Sequence, residues 1–193
     1  MDRIRRIPTN PHQDEYLRED NPLCRVPTLV LDNGEVLFDS PVICEYLDAL
    51  HTGPKLFPPA GDARWQALRL QAVGDGILDA NVSRRSEVIR DSGEQSPKWI
   101  ARQIMAVEAA YTWLEARIAQ LDSQPLTIGH IAVACSLGYS DVRFSSDTWR
   151  RRCPKLAAWH AEFEKRPAMV ATRYATLKAT LPPEMIKEGP NRH

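Results

Sequence analysis

Apolar positions along this chain follow two different rhythms. Over the first fifty residues they come in short runs broken by turn-forming residues. Residues 26–31 (VPTLVL) and 36–38 (VLF) are two such runs, with Asp32-Asn33-Gly34 between them. Short runs flanking an Asn-Gly predict an antiparallel hairpin, with Asn33 and Gly34 supplying the positive φ values of a tight two-residue turn. Ser40 then reads as an N-cap and Pro41 as the first helical residue, where no N–H is needed. Val42, Ile43, Tyr46, Leu47 and Leu50 recur on one face of the helix that follows. Ahead of the hairpin, Ile4 and Ile7 mark a short strand over residues 3–8. The polar residues 12–20 read as a short helix or an ordered loop.

Residues 51–62 (HTGPKLFPPAGD) are rich in Pro and Gly and read as a linker, pinned to the body by Leu56 and Phe57. Beyond them the rhythm is helical throughout. Asp62 can cap a helix running through Trp65, Leu68, Val73, Ile77 and Val82 toward about Asp91. Ser96-Pro97 opens a second, in which Ile100, Ile104, Val107, Tyr111, Leu114, Ile118 and Leu121 form one stripe at steps of three and four. Thr127 caps a third. Ile128, Ile131, Ala132, Val133, Cys135, Leu137 and Val142 make that helix apolar nearly all round, which predicts the buried central helix. Cys153-Pro154 precedes a fourth, with Leu156, Trp159 and Phe163 on one face, and Arg166-Pro167 closes it. The residues after Leu181 read as a loose tail. The fold class is therefore α+β: a small mixed domain over residues 1–51, a linker over 52–61, and an all-helical domain over 62–193.

Charge narrows the functional field. Lys plus Arg and Asp plus Glu both number 25, a net charge of zero. That argues against nucleic acid as a partner and against a polybasic membrane anchor. There is no apolar run of about 18 residues to span a membrane. The opening MDRIRRIP lacks the apolar core of a signal peptide. Cys24, Cys44, Cys135 and Cys153 have no metal-like spacing and are too few for a disulfide scaffold, so the expected compartment is the reducing cytoplasm.

The chemistry concentrates around the hairpin. A strand delivering Asp39 and Ser40 to a helix N-terminus makes an anion site, because free N–H groups and the helix dipole both favour a carboxylate there. A Ser-Pro pair at such a start is, taken alone, more often only a cap. Pro27 is more telling. Proline at the start of a strand belongs on an edge or at a bulge, and a cis Val26–Pro27 bond would turn the Val26 backbone outward to pair with an extended peptide.

Asn21-Pro22-Leu23-x-Arg25-Val26-Pro27-x-Leu29, followed about a dozen residues later by Asp39-Ser40, resembles the glutathione-binding half of the glutathione S-transferase family. The order of elements over residues 3–170 resembles the family's plan as well. So do the helix capped by Thr127, the segment from Trp159 to Pro167, and the run Asp75-Gly76-Ile77-Leu78-Asp79-Ala80, which is similar to bacterial members. The resemblance implies a thioredoxin-like domain followed by a helical bundle. It implies glutathione as co-substrate, no metal or further cofactor, a small hydrophobic electrophile held against the helical domain, and a homodimer in which the long helices after the linker pack across the two-fold axis. It also implies roles. Val26 pairs its backbone with the cysteinyl part of glutathione, and Pro27 is the cis proline. Ser40 holds the γ-glutamyl carboxylate, Asp39 lies near the amine, and Arg25 lies near the glycyl end.

The chain departs from the family pattern in three places. It opens just before the family's second strand. The expectation is a domain lacking about 25 residues, judged from ordinary strand and helix lengths, with the catalytic Ser, Tyr or Cys in the missing segment. The resemblance therefore assigns no catalytic residue within this chain, and a non-catalytic binding module of the same fold is the rival reading. Cys24 stands where the family often has Gly, either as a thiol made reactive by Arg25 or as a small residue tolerated in a turn. His130 stands where the family usually carries Asp. A neutral imidazole can still accept from the Thr127 N–H, and no second ligand at helical spacing supports a metal. Arg84-Arg85 and residues 150–152 (RRR) read as salt-bridge partners or solvated faces, the first pair with a looser claim to face the electrophile. His12, His51, His160 and His193 are scattered and carry no assignment.

Overall fold

The computed structural model describes residues 4–11 and 13–174. Arg3, His12, His193 and the tail after Leu181 lie outside the described residues. The chain divides between Leu56 and Phe57 into two compact units.

In the first unit a short helix, α1 (Leu17–Asp20), precedes β1 (Leu29–Val30), β2 (Val36–Leu37) and α2 (Ser40–Ala49). The strands pair antiparallel with Leu29 opposite Leu37 and Val30 opposite Val36, as the pattern predicts. The turn is longer than predicted. The N–H of Gly34 donates to the Leu31 carbonyl at 2.9 Å, and that of Leu31 to Glu35 at 2.8 Å. Gly34 is left-handed at φ +84°, whereas Asn33 is not. The loop is thus the three-residue type, a turn closed by a left-handed glycine. The Asn33 side chain accepts from the Glu35 N–H at 2.9 Å instead of supplying a second positive φ.

The first unit departs from the pattern in three further ways. Residues 4–8 form no strand, and Ile4 and Ile7 are exposed. Among the described residues the two strands pair only with each other, so this segment meets no ladder. The cap of α2 is Asp39, one residue earlier than Ser40. Its extended backbone turns the chain into the helix, its carboxylate accepts the Ser40 N–H, and its carbonyl takes the Ile43 N–H at 3.0 Å. The apolar face of α2 is narrower than its periodicity: Ile43 is buried, but Val42 and Leu50 are exposed. Residues 51–56 fold back on the end of α2 through polar contacts. The buried Asp48 carboxylate accepts the Leu56 N–H at 2.9 Å, and Lys55 donates to the carbonyls of Asp48 and His51.

The second unit contains α3 (Gly61–Val88), α4 (Pro97–Glu115), α5 (Ile118–Ser123), α6 (Ile128–Arg143), α7 (Trp149–Arg152), α8 (Pro154–Phe163) and α9 (Pro167–Ala171). Helix α6 is central, as predicted: Val133, Ala134 and Leu137 are fully buried, although Cys135 and Val142 reach the surface. Two glycines let α3 and α6 touch backbone to backbone. A Cβ on Gly74 would lie 2.5 Å from the Ala132 carbonyl carbon, and one on Gly129 would lie 2.7 Å from the Ala67 carbonyl oxygen. The inward face of α3 is therefore Ala67, Leu70, Gly74, Ile77 and Asn81, while Trp65 and Val82 point outward. Asp62 sits in the first turn of α3 without capping it; the N-cap is Ala60.

The stripe read as one helix to Leu121 is broken between α4 and α5, yet stays in phase, with Leu114 and Leu121 both buried. Ser96 caps α4 by accepting the Trp99 N–H. Pro167 opens α9, so α8 ends earlier, at Phe163. Trp149, Leu156, Leu114, Tyr111 and Ile77 close the core around α6.

Candidate functional site

Asn21 organises the turn that carries the candidate ligand contacts. It is 1% exposed. Its side-chain oxygen accepts the Leu23 N–H at 3.0 Å, and its amide donates to the Arg25 carbonyl at 3.0 Å and the Thr28 hydroxyl at 3.1 Å. Thr28 in turn donates to the same Arg25 carbonyl at 2.8 Å. One buried amide thereby fixes both ends of the segment that presents Arg25, Val26 and Pro27. The family motif contains Asn21, but its role is not legible from sequence, because its partners are set by how the turn folds back.

The Val26–Pro27 peptide is cis. Val26 is exposed, and among the described residues nothing hydrogen-bonds to its main chain. The hairpin register brings the two halves of the motif together. Leu29 pairs with Leu37, so the segment that leads into β1 and the segment that leaves β2 meet the hairpin at the same end. That end is also the N-terminus of the ten-residue α2, where Ser40 occupies the first turn. Arg25 is exposed beside it.

Cys24 has φ +50°, the left-handed region that favours glycine. This gives a backbone reason for the family's preference for Gly there. Its thiol is half-buried and donates to the Pro11 carbonyl at 3.3 Å.

In the second unit, the sequence reading of His130 holds. Its Nδ1 accepts the Thr127 N–H at 3.1 Å, and Nε2 donates to the Leu121 carbonyl at 3.1 Å, joining the end of α5 to the start of α6. Burial holds its pKa below the usual imidazole value. Arg84 is a salt-bridge partner rather than a free cation. It forks onto Asp147 and lies 3.8 Å above the ring of Phe144. Beside it, Asn81 donates to the Ser140 hydroxyl at 2.9 Å, and the Tyr111 hydroxyl lies 2.6 Å from the same oxygen. Burial raises the Tyr111 pKa. His160, unassigned by sequence, is fully buried.

Comparison with known proteins places these features in a family. Residues 2–50 match the glutathione S-transferase N-terminal domain, and residues 97–162 match the glutathione S-transferase C-terminal domain. A glutathione transferase family member from Pseudomonas fluorescens Pf-5, solved with bound glutathione, is 46% identical. It superposes with a TM-score of 0.80 over 83% of this chain and 78% of its own. A glutathione S-transferase from Methylobacillus flagellatus KT with glutathione bound is 32% identical, with a TM-score of 0.78 over 81% of this chain and 79% of its own. The uncharacterized GST-like protein YibF of Escherichia coli K12 is 30% identical over 148 residues, 76% of this chain and 72% of that protein. The fold is the thioredoxin-like plus all-helical arrangement. The chain belongs to the glutathione S-transferase family.

Proposed function

We propose that this protein binds glutathione at the shared end of the hairpin and α2, and adds its thiolate to a small hydrophobic electrophile held against the helical unit. The reading rests on the Pseudomonas fluorescens relative, which holds glutathione and is 46% identical over 83% of this chain. The local chemistry suits the ligand. Val26 offers an exposed, unpaired main chain to the cysteinyl residue beside Pro27. Ser40, in the first turn of α2, takes the γ-glutamyl carboxylate, where the helix terminus favours negative charge. Asp39 faces the amine, and Arg25 takes the glycyl carboxylate. We further propose a cytoplasmic homodimer packed through its long helices, with domains over residues 1–51 and 62–193 joined by the linker 52–61. None of the five residues is assigned to the ligand sulfur, which keeps a second reading in view: a binding module of the same fold without transferase chemistry.

Calorimetric titration with glutathione, run beside a conjugation assay with a general aryl halide, tests both. The expected result is saturable binding that weakens about tenfold or more in Ser40→Ala and Arg25→Gln, since each removes a hydrogen bond to a charged group. Conjugation supports the transferase. Binding without conjugation leaves the module, and absence of binding overturns the proposal.

A further inference from the structure

The helical unit carries a polar trough that the glutathione reading does not use. Helix α3 and the elbow between α4 and α5 enclose about 320 Å³, lined by Gln66, Arg69, Trp113, Arg117, Gln120 and Gln124 among others. Both arginines lie on the same indole. The guanidinium carbon of Arg117 is 4.2 Å from the Trp113 ring centroid, and that of Arg69 is 5.8 Å from it. Contacts of this kind hold a guanidinium in place without neutralising it.

The two cations stand without counter-charge. Among the described residues neither has a carboxylate partner, and the one hydrogen bond the Arg117 side chain makes is from Nη1 to the Trp113 carbonyl at 3.2 Å. Elsewhere in this unit Arg84, Arg90, Arg150 and Arg152 each end on a carboxylate. No acidic residue lines the trough, in a chain with as many acids as bases. The other polar groups around it can donate. Gln124 gives its amide N–H to the Gln66 side-chain oxygen at 2.9 Å, which occupies that acceptor and leaves the Gln66 NH₂ as a donor. Both guanidinium groups line this one trough, and a dianion bound in it answers their charge through the remaining N–H groups, in the fork geometry that tetrahedral oxyanions fit.

We propose that this trough binds a phosphate- or sulfate-type oxyanion, free or as the head of an organic ester.

The test is calorimetric titration of the full chain at low ionic strength with inorganic phosphate, inorganic sulfate and phenyl phosphate. Saturable binding of at least one is expected. Arg69→Gln and Arg117→Gln should each weaken it about tenfold, as for loss of a charged hydrogen-bond donor, and the double variant should abolish it. Arg69→Lys should restore part. Phenyl phosphate binding tighter than phosphate assigns the site to esters, and equal affinities assign it to the bare oxyanion. Glutathione affinity, measured in the same variants, should not change, which separates this site from the proposed glutathione site and shows that the variants are folded. Absence of saturable binding by all three probes overturns the proposal, as does binding that survives the double substitution. It is equally overturned if no probe binds and the double variant changes the oligomeric state, because the arginines then answer acids of a second copy.

Discussion

His160 is fully buried, yet both ring nitrogens are satisfied. Its Nε2 donates to the Ala134 carbonyl at 3.1 Å and its Nδ1 accepts from Arg150 at 2.9 Å, while Arg150 also holds Asp141. Burial lowers its pKa most; Arg150 lowers it further, and Glu164, Asp141 and the Ala134 carbonyl oppose. His130 is lowered by burial as well. An unfolded imidazole titrates near ~6.5. As pH falls below that value the unfolded chain takes up protons that the folded chain refuses, so stability declines toward the lowered folded values and is fully present above ~6.5. Urea melts at pH 7.5 and pH 5.5 should show the loss. His160→Ala should cost about 3 kcal/mol at the higher pH, through a cavity and an orphaned carbonyl, and flatten the pH dependence. An unchanged slope would assign the proton uptake elsewhere. Cys24 gives the opposite sign. Its left-handed backbone predicts that Cys24→Gly is neutral or gains up to about 1 kcal/mol, with glutathione affinity unchanged. A strongly destabilised variant would mean that the thiol bond to Pro11 outweighs the backbone term. At this scale the sequence was legible where partners are three residues apart, as in Thr127 and His130, and illegible for His160, whose partners lie 10 and 26 residues away.

Among the elements, α8 starts without a capping side chain of its own, because Cys153 fills the cap position. Glu115, at the end of α4, supplies the cap instead, accepting the N–H groups of Lys155 at 3.1 Å and Leu156 at 2.7 Å. Glu115→Gln should therefore cost about 1–2 kcal/mol, as loss of a charged cap does, read from the shift of the thermal midpoint. An effect no larger than that of a surface substitution would show that water caps α8 equally well. The crossing of α3 and α6 is stricter. A Cβ at Gly74 meets backbone that cannot rotate away, so Gly74→Ala should cost about 2–3 kcal/mol, although alanine is the better helix former. Element boundaries were read from local signals and shifted where two signals compete. Ser-Pro and Asp-Ser are both good helix starts, and the extended backbone at Asp39 decides for the second. A stripe that stays in phase hides the break at Arg117.

For the whole molecule, the homodimer proposed above makes a separate prediction. Trp65 on α3 and Met105 on α4 are 67% and 70% exposed, large apolar side chains on the two long helices. Trp65→Glu with Met105→Glu should shift the mass measured by light scattering from dimer to monomer. A monomeric parent chain would remove the dimer from the proposal. What the sequence by itself determined is whatever short-range chemistry encodes: the hairpin, the order and spacing of the helices, the buried α6, the Thr127–His130 capping and the family to which the chain belongs. The pairing of distant positions was decided only by the tertiary structure. Asn81 meets Ser140 across 59 residues, Arg84 meets Asp147 across 63, and Glu115 reaches the start of α8 across 40 and 41. Periodicity says which face of a helix is buried, but not which face it is buried against. That choice belongs to close packing, where two glycines set how near α3 and α6 approach and so which polar groups come within hydrogen-bond reach.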